Sequence, residues 1–335
     1  MSLPHVDLVA GRWRLPPSRT LRRAAERVTA DVREHDLWRA GATVGMAVSG
    51  GLDSLCGLRL LCALRRRLGH RLVALHVDHG VAATRAEALA VIQAACTDLA
   101  VPLTVAAVSV PLGADWEGRA RAARYAALAQ LAAGSDCTVI ATAHHADDQA
   151  ETLLLRLCRG AGPDALAGIW AARDDGVVRP LLSLTRAQLR ELHGDLPWWT
   201  DPSNAELQPA RNRIRHLALP ALTAAEPDAV AGLCRSADAL ALTRGGAEAW
   251  LEAALEGAIT RDGDALTVAR DRVPADLGAL ALLLRWAAAL VGAPPPTLAA
   301  TQQFFALTRA PPGSQGLVRG MRVRVSAAQY RFEPG

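Results

Sequence analysis

Short apolar runs alternate with longer amphipathic segments between residues 43 and 159. The apolar runs have the length of buried strands, and they lie at residues 43–48, 71–77, 103–108 and 138–142. The segments that follow them have the length and pattern of helices, and they lie at residues 54–68, 84–99, 116–133 and 146–159. Because strands and helices alternate at this spacing, the pattern predicts an α/β fold with a parallel sheet covered by helices on both faces.

The regions on either side of this alternating part predict a different organisation. Residues 18–38 have an amphipathic, arginine-rich pattern that Ser18 can cap as a helix, so residues 1–40 are interpreted as an N-terminal extension. The alternating domain is expected to span residues 41–220, and its last part, 176–220, is rich in proline and polar residues. Residues 221–335 predict a smaller, mainly helical domain that ends in strands. Its helix patterns lie at 221–255, 275–291 and 297–308, with a short strand within 262–274 and a strand or hairpin pattern at 316–332.

A glycine-rich turn joins the first predicted strand to its helix, with the sequence Ser49-Gly50-Gly51-Leu52-Asp53-Ser54. Glycine permits backbone torsions and a close approach that a Cβ atom obstructs. A turn that leads into a helix N-terminus directs several N–H groups at one point, which suits a phosphate or pyrophosphate. The turn lacks the Gly-Lys-Ser/Thr ending of the Walker loop and the third glycine of the dinucleotide fingerprint. Taken alone, it is also compatible with an ordinary strand–turn–helix joint.

A second polar segment, residues 142–151, follows the fourth predicted strand and contains His144, His145, Asp147, Asp148 and Glu151. Loops at the carboxyl ends of parallel strands meet at one edge of the sheet, so we expect this segment to lie beside the glycine-rich turn. Carboxylates next to bound phosphates are the oxygen ligands that Mg²⁺ takes. Helix capping and compensation of the helix dipole are the alternative explanation for these acidic residues. Zinc is disfavoured, because no histidine or cysteine ligand set at zinc spacing accompanies them.

Two further groups of polar residues can serve either a site or the fold. His76 and Asp78 end the second predicted strand. His76 can either contact a ligand or be a buried, hydrogen-bonded histidine of the fold. Arg121 and Arg124 are three residues apart on a predicted helix and therefore share one face. They predict either an anion clamp or a solvated face on which Glu117 pairs with Arg121.

The loop that holds Trp198 and Trp199 leads into an arginine cluster that contains Arg211 and Arg215. Nucleic-acid bases stack on aromatic rings and phosphates pair with arginine, so the loop is a candidate for nucleic-acid contact. Buried tryptophan anchors with a structural network of turns are the alternative.

Composition limits the classes of protein that the chain can represent. Of its 335 residues 51% are apolar, and 37 basic residues against 33 acidic ones give a net charge of +4, which permits an anionic partner where arginines cluster. All 37 basic residues are arginine, so any lysine amine in the chemistry must come from another molecule. The six cysteines form no Cys-x-x-Cys pair and lie mostly in apolar runs, which indicates reduced, buried thiols and a cytoplasmic location. No signal peptide or membrane span is expected, because no apolar run reaches about 18–20 residues without a charge.

Together these motifs resemble the N-type ATP pyrophosphatase, or PP-loop, superfamily and, within it, the tRNA(Ile)-lysidine synthetase family. The resemblance covers residues 43–222 and is carried by Ser49-Gly-Gly-Leu-Asp-Ser54, His76-Val-Asp-His-Gly80, Ala120-Arg-Ala-Ala-Arg-Tyr125, His144-His-Ala-Asp-Asp-Gln-Ala-Glu-Thr152, residues 155–162, Arg179-Pro-Leu-Leu182, and Asp201-Pro-Ser-Asn204 with Arg211-Asn-Arg-Ile-Arg215. The glycine-rich turn alone identifies the superfamily, whereas the histidine–carboxylate segment and the last segment narrow the resemblance to the synthetases.

The chain departs from the family pattern at three places. Ala143 stands where the family usually has glycine, and Val81-Ala82 replaces the usual Leu-Arg, which leaves the role of that loop open. The glycine-rich turn also begins later than is usual, which implies an N-terminal extension. Beyond residue 222 the resemblance is weak.

The resemblance implies a Rossmann-like ATP pyrophosphatase fold that carries out a two-step ligation with ATP and Mg²⁺. The C2 carbonyl oxygen of the wobble cytidine of tRNA(Ile) with a CAU anticodon attacks the α-phosphate of ATP, and pyrophosphate leaves. The amine of free L-lysine then displaces AMP from the adenylated cytidine and gives lysidine. Positioning and charge neutralisation supply most of the catalysis in the first step.

The resemblance also implies roles for individual residues. The catalytic group is Asp53, Asp147, Asp148, Arg121 and Arg124. The ATP-binding group is Ser49, Gly50, Gly51, Leu52, Asp53, Ser54 and His144, with Asp53 and Asp148 as Mg²⁺ ligands. The substrate-binding group is Glu151, Asn204, Arg211, Asn212 and Arg215, and whether Asp147 or Glu151 holds the lysine ammonium stays open. Neither a protein partner nor a membrane is implied.

Two other functions are open at this point. A tRNA thiolase of the same superfamily needs cysteines to carry sulfur or an iron–sulfur cluster, and the lack of a Cys-x-x-Cys pair counts against it. A non-catalytic tRNA- or nucleotide-binding module is disfavoured by the intact Asp53, Asp147 and Asp148.

Overall fold

A computed structural model of the chain describes residues 15, 18–78, 85–111, 113, 116–202 and 206–335. The chain divides into two compact units. Unit 1 comprises residues 1–155 and 168–235, and unit 2 comprises residues 156–167 and 236–335.

Unit 1 is built on a five-stranded parallel sheet with the strand order β3-β2-β1-β4-β5. Its strands are β1 (Thr43–Ala47), β2 (Arg71–Asp78), β3 (Leu103–Ala107), β4 (Val139–Ala141) and β5 (Val177–Val178). The structure confirms the predicted parallel sheet. The two-residue strand β5 is additional, because two residues are too few to form a recognisable apolar run.

Helices connect these strands in the predicted order. They are α1 (Arg19–Glu34), α2 (Leu52–Leu68), α3 (Arg85–Asp98), α4 (Trp116–Gly134) and α5 (Ala146–Cys158), with the four-residue α6 (Pro163–Leu166) in unit 2. The chain continues with α7 (Arg186–His193), α8 (Ala210–Arg213), a π-helix (Ile214–Ala218), α9 (Leu219–Ala225) and α10 (Ala229–Ala254). Ser18 caps α1 as predicted, and its side chain accepts a hydrogen bond from the Leu21 N–H group at 3.0 Å.

The alternation of side chains along β2 assigns the helices of unit 1 to two faces of the sheet. Leu72 and Ala74 belong to the core that also includes buried residues of α1, α2, α3 and α7. Leu75 and Val77 point to the other face and pack with buried residues of α4. The carboxyl ends of the strands therefore lie between two covered faces, and this edge is where the polar loops emerge.

Unit 2 contains an antiparallel sheet in the order β6-β7-β10-β9-β8. Its elements are β6 (Ile259–Asp262), β7 (Ala265–Ala269), a 3₁₀ helix (Arg270–Arg272), α11 (Leu277–Leu290), α12 (Leu298–Arg309), β8 (Ser314–Val318), β9 (Met321–Val325) and β10 (Gln329–Pro334). Phe304 is fully buried and contacts the rings of Tyr330 and Phe332 at the centre of the core. The chain thus ends in strands, as predicted.

Residues 221–255 are helical as predicted, but they form two helices and not one. The chain leaves the helical conformation at Glu226, which is extended (φ −136°, ψ 100°), and α10 starts at Ala229. Pro227 explains the break, because the residue before a proline is driven from helical to extended torsions.

None of the six cysteines forms a disulfide. Cys56, Cys62 and Cys96 are buried, and burial raises the pKa of the Cys56 and Cys96 thiols to about 12. Cys158 is exposed, so the expectation of buried thiols does not hold at that position. Among the helices of the described residues, none is both long and apolar enough to cross a membrane.

Candidate functional site

The glycine-rich turn follows β1 and ends at the N-terminus of α2. Gly50 has φ of +84°, in the left-handed region, which explains why glycine is needed at this position. The Ser54 hydroxyl accepts a hydrogen bond from the Ser49 N–H group at 3.1 Å, and the Ser49 hydroxyl accepts one from the Gly51 N–H group at 3.4 Å. The serine hydroxyls thus accept from two N–H groups of the turn, and phosphate oxygens can replace these hydroxyls as acceptors.

The tryptophan loop contacts this turn directly. The Trp199 N–H group donates to the Gly50 carbonyl oxygen at 2.9 Å. Trp198 packs against the α2-side core and meets the His193 ring edge-on, with 5.7 Å between the ring centroids. These contacts agree with the prediction that Trp198 is a structural anchor, which was the alternative to nucleic-acid contact.

Three of the predicted carboxylates converge on His145. The His145 ring is 2% exposed, and its nitrogens lie 3.5 Å from Asp53 Oδ2, 3.5 Å from Asp147 Oδ2 and 3.4 Å from Asp148 Oδ2. Desolvation opposes a charged ring, but Asp147 and Asp53 outweigh it and raise the pKa of His145 to about 10. An imidazolium at the centre therefore joins the first turn of α2 to the first turn of α5. His145 was not among the predicted site residues, although its place in the His-His pair was a visible signal.

The central imidazolium also explains the charge state of its neighbours. Burial alone would raise the pKa values of Asp147 and Asp148, yet His145 holds both below the usual range. Asp147 Oδ2 also accepts a hydrogen bond from the Arg186 N–H group at 2.7 Å. Asp147 and Asp148 are thus ionised at neutral pH, as metal binding or ammonium binding requires.

Arginines from the segment after α7 form an ion-pair network with α5. Glu151, which is 1% exposed, accepts hydrogen bonds from Arg211 Nε at 2.8 Å and from Arg215 Nε and Nη2 at 2.6 and 2.9 Å. Asp148 Oδ1 accepts from Arg211 Nη2 at 2.8 Å and from Arg215 Nη2 at 3.2 Å. Both arginines were predicted to bind substrate, and the structure places them on carboxylates of the same site.

The other predicted residues lie at varying distances from this centre. Asn212 donates to the Glu206 carbonyl oxygen at 2.8 Å, and Asn204 lies outside the described residues. His144 contacts Thr142 Oγ1 at 2.9 Å through Nδ1. Desolvation lowers the pKa of His144 to about 4, helped by nearby arginines against the opposing effect of Asp148, so the ring is neutral at pH 7.

His76 answers one of the open questions, whereas the choice between an anion clamp and a solvated face for the arginines of α4 stays a prediction. His76 is buried, and its Nδ1 contacts the Val48 carbonyl oxygen at 2.8 Å, which is the hydrogen-bonded arrangement. His79, Gly80 and the side chain of Glu117 lie outside the described part of the chain. Arg121 and Arg124 both lie against the ring of Tyr125, at 5.1 and 5.6 Å from its centroid.

The fit of a Mg²⁺ ion can be judged from the oxygens that are available. Asp53 Oδ1 is a buried atom without a hydrogen-bond partner among the described residues, and it faces Arg186 Nε at 3.9 Å. Both oxygens of Asp148 already have partners. Within the described residues no three ligating side chains form a metal-binding group. Mg²⁺ usually keeps several waters and takes one or two carboxylates plus substrate phosphates, so Asp53 fits this role and Asp148 would first have to release its arginines.

Comparison with known proteins agrees with this geometry. The profile of the PP-loop domain, an ATP-binding family, matches residues 20–222. The chain is 45% identical over 206 residues to a tRNA(Ile)-lysidine synthase of Pseudomonas fluorescens (strain Pf0-1), a match that covers 60% of this chain and 46% of the relative. It is 42% identical over 193 residues to a tRNA(Ile)-lysidine synthase of Solibacter usitatus (strain Ellin6076), covering 56% of this chain and 42% of the relative. The chain thus spans less than half the length of these curated relatives.

A solved structure shares the fold. The U34-tRNA thiolase NcsA from Methanococcus maripaludis with its [4Fe-4S] cluster superposes with a TM-score of 0.57 at 16% identity, covering 66% of this chain and 78% of that chain. At this identity the likeness concerns the fold alone. The glycine-rich turn, the parallel sheet and the family match over more than half of the residues lead to one conclusion: the chain belongs to the PP-loop domain family.

Proposed function

We propose that the chain is an ATP-dependent ligase that joins free L-lysine to C2 of the wobble cytidine of tRNA(Ile) with a CAU anticodon. The products are lysidine, AMP and pyrophosphate. The observation that carries the proposal is the meeting of the glycine-rich turn with the α5 carboxylates, through Asp53 and His145. The curated relatives that match this region are named tRNA(Ile)-lysidine synthases, which supports the choice of substrates.

In the first step the cytidine O2 forms a bond to the α-phosphorus, and the bond to pyrophosphate breaks. The N–H groups of residues 49–54 bind the leaving pyrophosphate, with the dipole of α2 behind them. Asp53 would hold a Mg²⁺ ion, which neutralises charge on the phosphate oxygens when bound. Asp53 already lies at the N-terminus of α2 within the turn, so this carboxylate needs little reorganisation when the charge develops.

In the second step the lysine ammonium first loses a proton to a carboxylate or to solvent, the neutral amine forms a bond to C2, and the bond from C2 to the AMP oxygen breaks. The ammonium group of lysine needs a carboxylate that is ionised and reachable. The Asp147 side chain is 22% exposed, whereas that of Glu151 is 2% exposed and already bound by two arginines. The described contacts therefore favour Asp147 over Glu151 as the group that holds the incoming lysine.

We also propose that residues 221–335 contribute to tRNA binding. On β9 the side chains of Met321, Val323 and Val325 are buried, while Arg322 and Arg324 point outward and are exposed. Exposed arginines on one face of a sheet suit phosphate contacts, and such binding weakens steeply with added salt.

The thiolase alternative gains no specific support. A [4Fe-4S] cluster is held by cysteine thiolates, and the cysteines of the described chain do not join other ligating residues in a group of three.

The proposal is tested with purified protein, ATP, Mg²⁺, labelled lysine and a tRNA(Ile) transcript with a CAU anticodon. We expect label in the RNA together with equal amounts of AMP and pyrophosphate. The matched control is the same transcript with uridine in place of the wobble cytidine, which keeps the C2 carbonyl oxygen but lacks the 4-amino group and the unprotonated N3 of cytosine. No incorporation under conditions where the CAU transcript binds would reject the assignment.

A further inference from the structure

Four arginines of unit 1 surround one tyrosine. The guanidinium carbons of Arg121, Arg124 and Arg173 lie 5.1, 5.6 and 5.0 Å from the centroid of the Tyr125 ring. Arg179 belongs to the same group: burial lowers the pKa of its guanidinium, and the Arg173 and Arg121 guanidinium groups lower it further, against the opposing effect of Tyr125. We call these four arginines and Tyr125 the arginine cage.

A short hairpin before β5 places two of the arginines. The Arg173 N–H group donates to the Val177 carbonyl oxygen at 2.9 Å, and the turn between them uses Gly176 at φ +80°. Arg179 follows β5, and its N–H group donates to the Ala171 carbonyl oxygen at 2.7 Å. The side chain of Arg179 donates to the Trp170 carbonyl oxygen, and the residue is 5% exposed. These contacts hold the guanidinium groups in place before any ligand arrives.

The positive charge of the cage is poorly balanced. Among the described residues the one carboxylate that pairs with any of the four arginines is Asp175, at 2.6 Å from Arg173 Nη2. Arg179 Nε is a buried atom without a hydrogen-bond partner among the described residues, and the Tyr125 hydroxyl is buried beside Arg124 and Arg179. Desolvation, together with neighbouring guanidinium groups, lowers the pKa values of Arg124 and Arg179. Buried donors and crowded cations are costly unless an anion completes them.

The cage is separate from the phosphate loop. Tyr125 packs with the α4-side core, whereas the helix that follows the glycine-rich turn, α2, belongs to the core on the other face of the sheet. The cage is nevertheless near the site, because Val178, next to Arg179, accepts a hydrogen bond from the Thr142 N–H group at 2.9 Å, and Thr142 Oγ1 contacts His144 Nδ1 at 2.9 Å. An anion bound here would therefore lie beside the reacting groups without being the pyrophosphate.

We propose that the arginine cage binds a phosphodiester group of the tRNA backbone. Arginine presents a planar fork of donors that matches two oxygens of one phosphate. Arg121 and Arg173 are exposed and can reach a phosphate from solvent, whereas the Tyr125 hydroxyl and Arg179 Nε are buried. The inference rests on the proposed function, since it takes the polynucleotide to be tRNA.

The test uses two exposed positions with opposite expected effects. Arg173→Gln removes one cation, whereas Asp175→Asn removes the carboxylate that competes with the phosphate. Affinity of the full chain for the CAU tRNA(Ile) transcript is measured at several salt concentrations. For Arg173→Gln we expect roughly five- to tenfold weaker binding at low salt and a slope of log K against log salt that is shallower by about 0.7–0.9. For Asp175→Asn we expect binding that is roughly two- to threefold tighter.

Two controls accompany these variants. Arg33→Gln removes the same charge from an exposed position of α1 and is expected to leave affinity and slope unchanged. Arg179→Gln tests the buried arginine, and its thermal melt shows whether the hairpin still folds. ATP affinity is measured without tRNA for every variant and is expected to equal that of the unmodified chain.

The outcomes separate this inference from the proposed function. Unchanged tRNA affinity and slope in both Arg173→Gln and Asp175→Asn would overturn the cage, even if the unmodified chain incorporates lysine. Weaker ATP binding with unchanged tRNA binding would also overturn it, because the phosphate would then belong to the nucleotide. The expected shifts in a chain that binds tRNA but incorporates no lysine would support the cage and reject the ligase assignment.

Discussion

The ion-pair network around Glu151 makes a quantitative prediction about local stability. Glu151→Gln keeps the size of the side chain and removes its charge, so Arg211 and Arg215 lose their most buried partner. Both arginines belong to the segment 210–225, in which Leu219 is the one buried side chain. Since little apolar burial holds this segment, we expect its attachment to α5 to depend on the ion pairs.

The magnitude follows from burial. Removing one partner of a buried ion pair costs about 3–5 kcal/mol. The Arg211 and Arg215 side chains are 37% and 21% exposed, so water and Asp148 compensate for part of this loss. We therefore expect the free energy of local opening of the segment to fall by about 2–3 kcal/mol, which corresponds to a roughly 30- to 150-fold larger opening constant.

Native-state hydrogen exchange of the amides in α9 measures this quantity directly. The matched control is Glu248→Gln, because Glu248 also pairs with an arginine Nε at 2.8 Å but its side chain is 37% exposed. An exposed helix pair of this kind is worth about 0.3–0.5 kcal/mol, so exchange near residue 248 should change little. The reasoning would be refuted if Glu151→Gln accelerated amide exchange in α9 by no more than Glu248→Gln accelerates exchange near residue 248.

Three further predictions concern single residues of unit 1. Asp53→Ala is expected to abolish ATP–pyrophosphate exchange while tRNA affinity is retained, because Asp53 belongs to the turn and its side chain faces His145 and Arg186; full exchange activity would contradict its role. Gly50→Ala should lower the free energy of unfolding by about 1–2 kcal/mol and impair ATP binding, because φ is +84° there, whereas Gly134→Ala, with open space around it, should not; equal urea midpoints for both would contradict this. Burial lowers the pKa of His70 from 6.5 to about 4, so between these pH values the unfolded chain binds a proton that the folded chain does not. The free energy of unfolding should fall by up to about 3 kcal/mol as pH drops through that window. Urea titrations should show a smaller fall in His70→Gln, whereas a variant of the exposed His35 should show the same fall as the unmodified chain.

Much of the fold could be predicted because the apolar periodicity is local. Strands β1 to β4 and the helices between them were identified to within a few residues, since each buries several apolar side chains at a regular spacing. Helix α7 was missed inside a loop-rich stretch, although Thr185 and Gln188 form a capping box that marks its start. Strand β5 could not be found in this way, because it exists through pairing with β4 and not through its own pattern.

The sequence by itself determined which side chains stand at the ends of the parallel strands, because loop position follows from the alternation of strands and helices. It therefore predicted that Asp53, Asp147 and Asp148 would lie near each other. Tertiary structure alone decided their partners: His145 at the centre, Arg211 bound to Glu151 across 60 positions of chain, and Arg173 brought to Tyr125 by a hairpin. The physical reason is that hydrogen bonds and charge interactions depend on distances of a few ångströms, which local patterns do not specify for residues far apart in the chain.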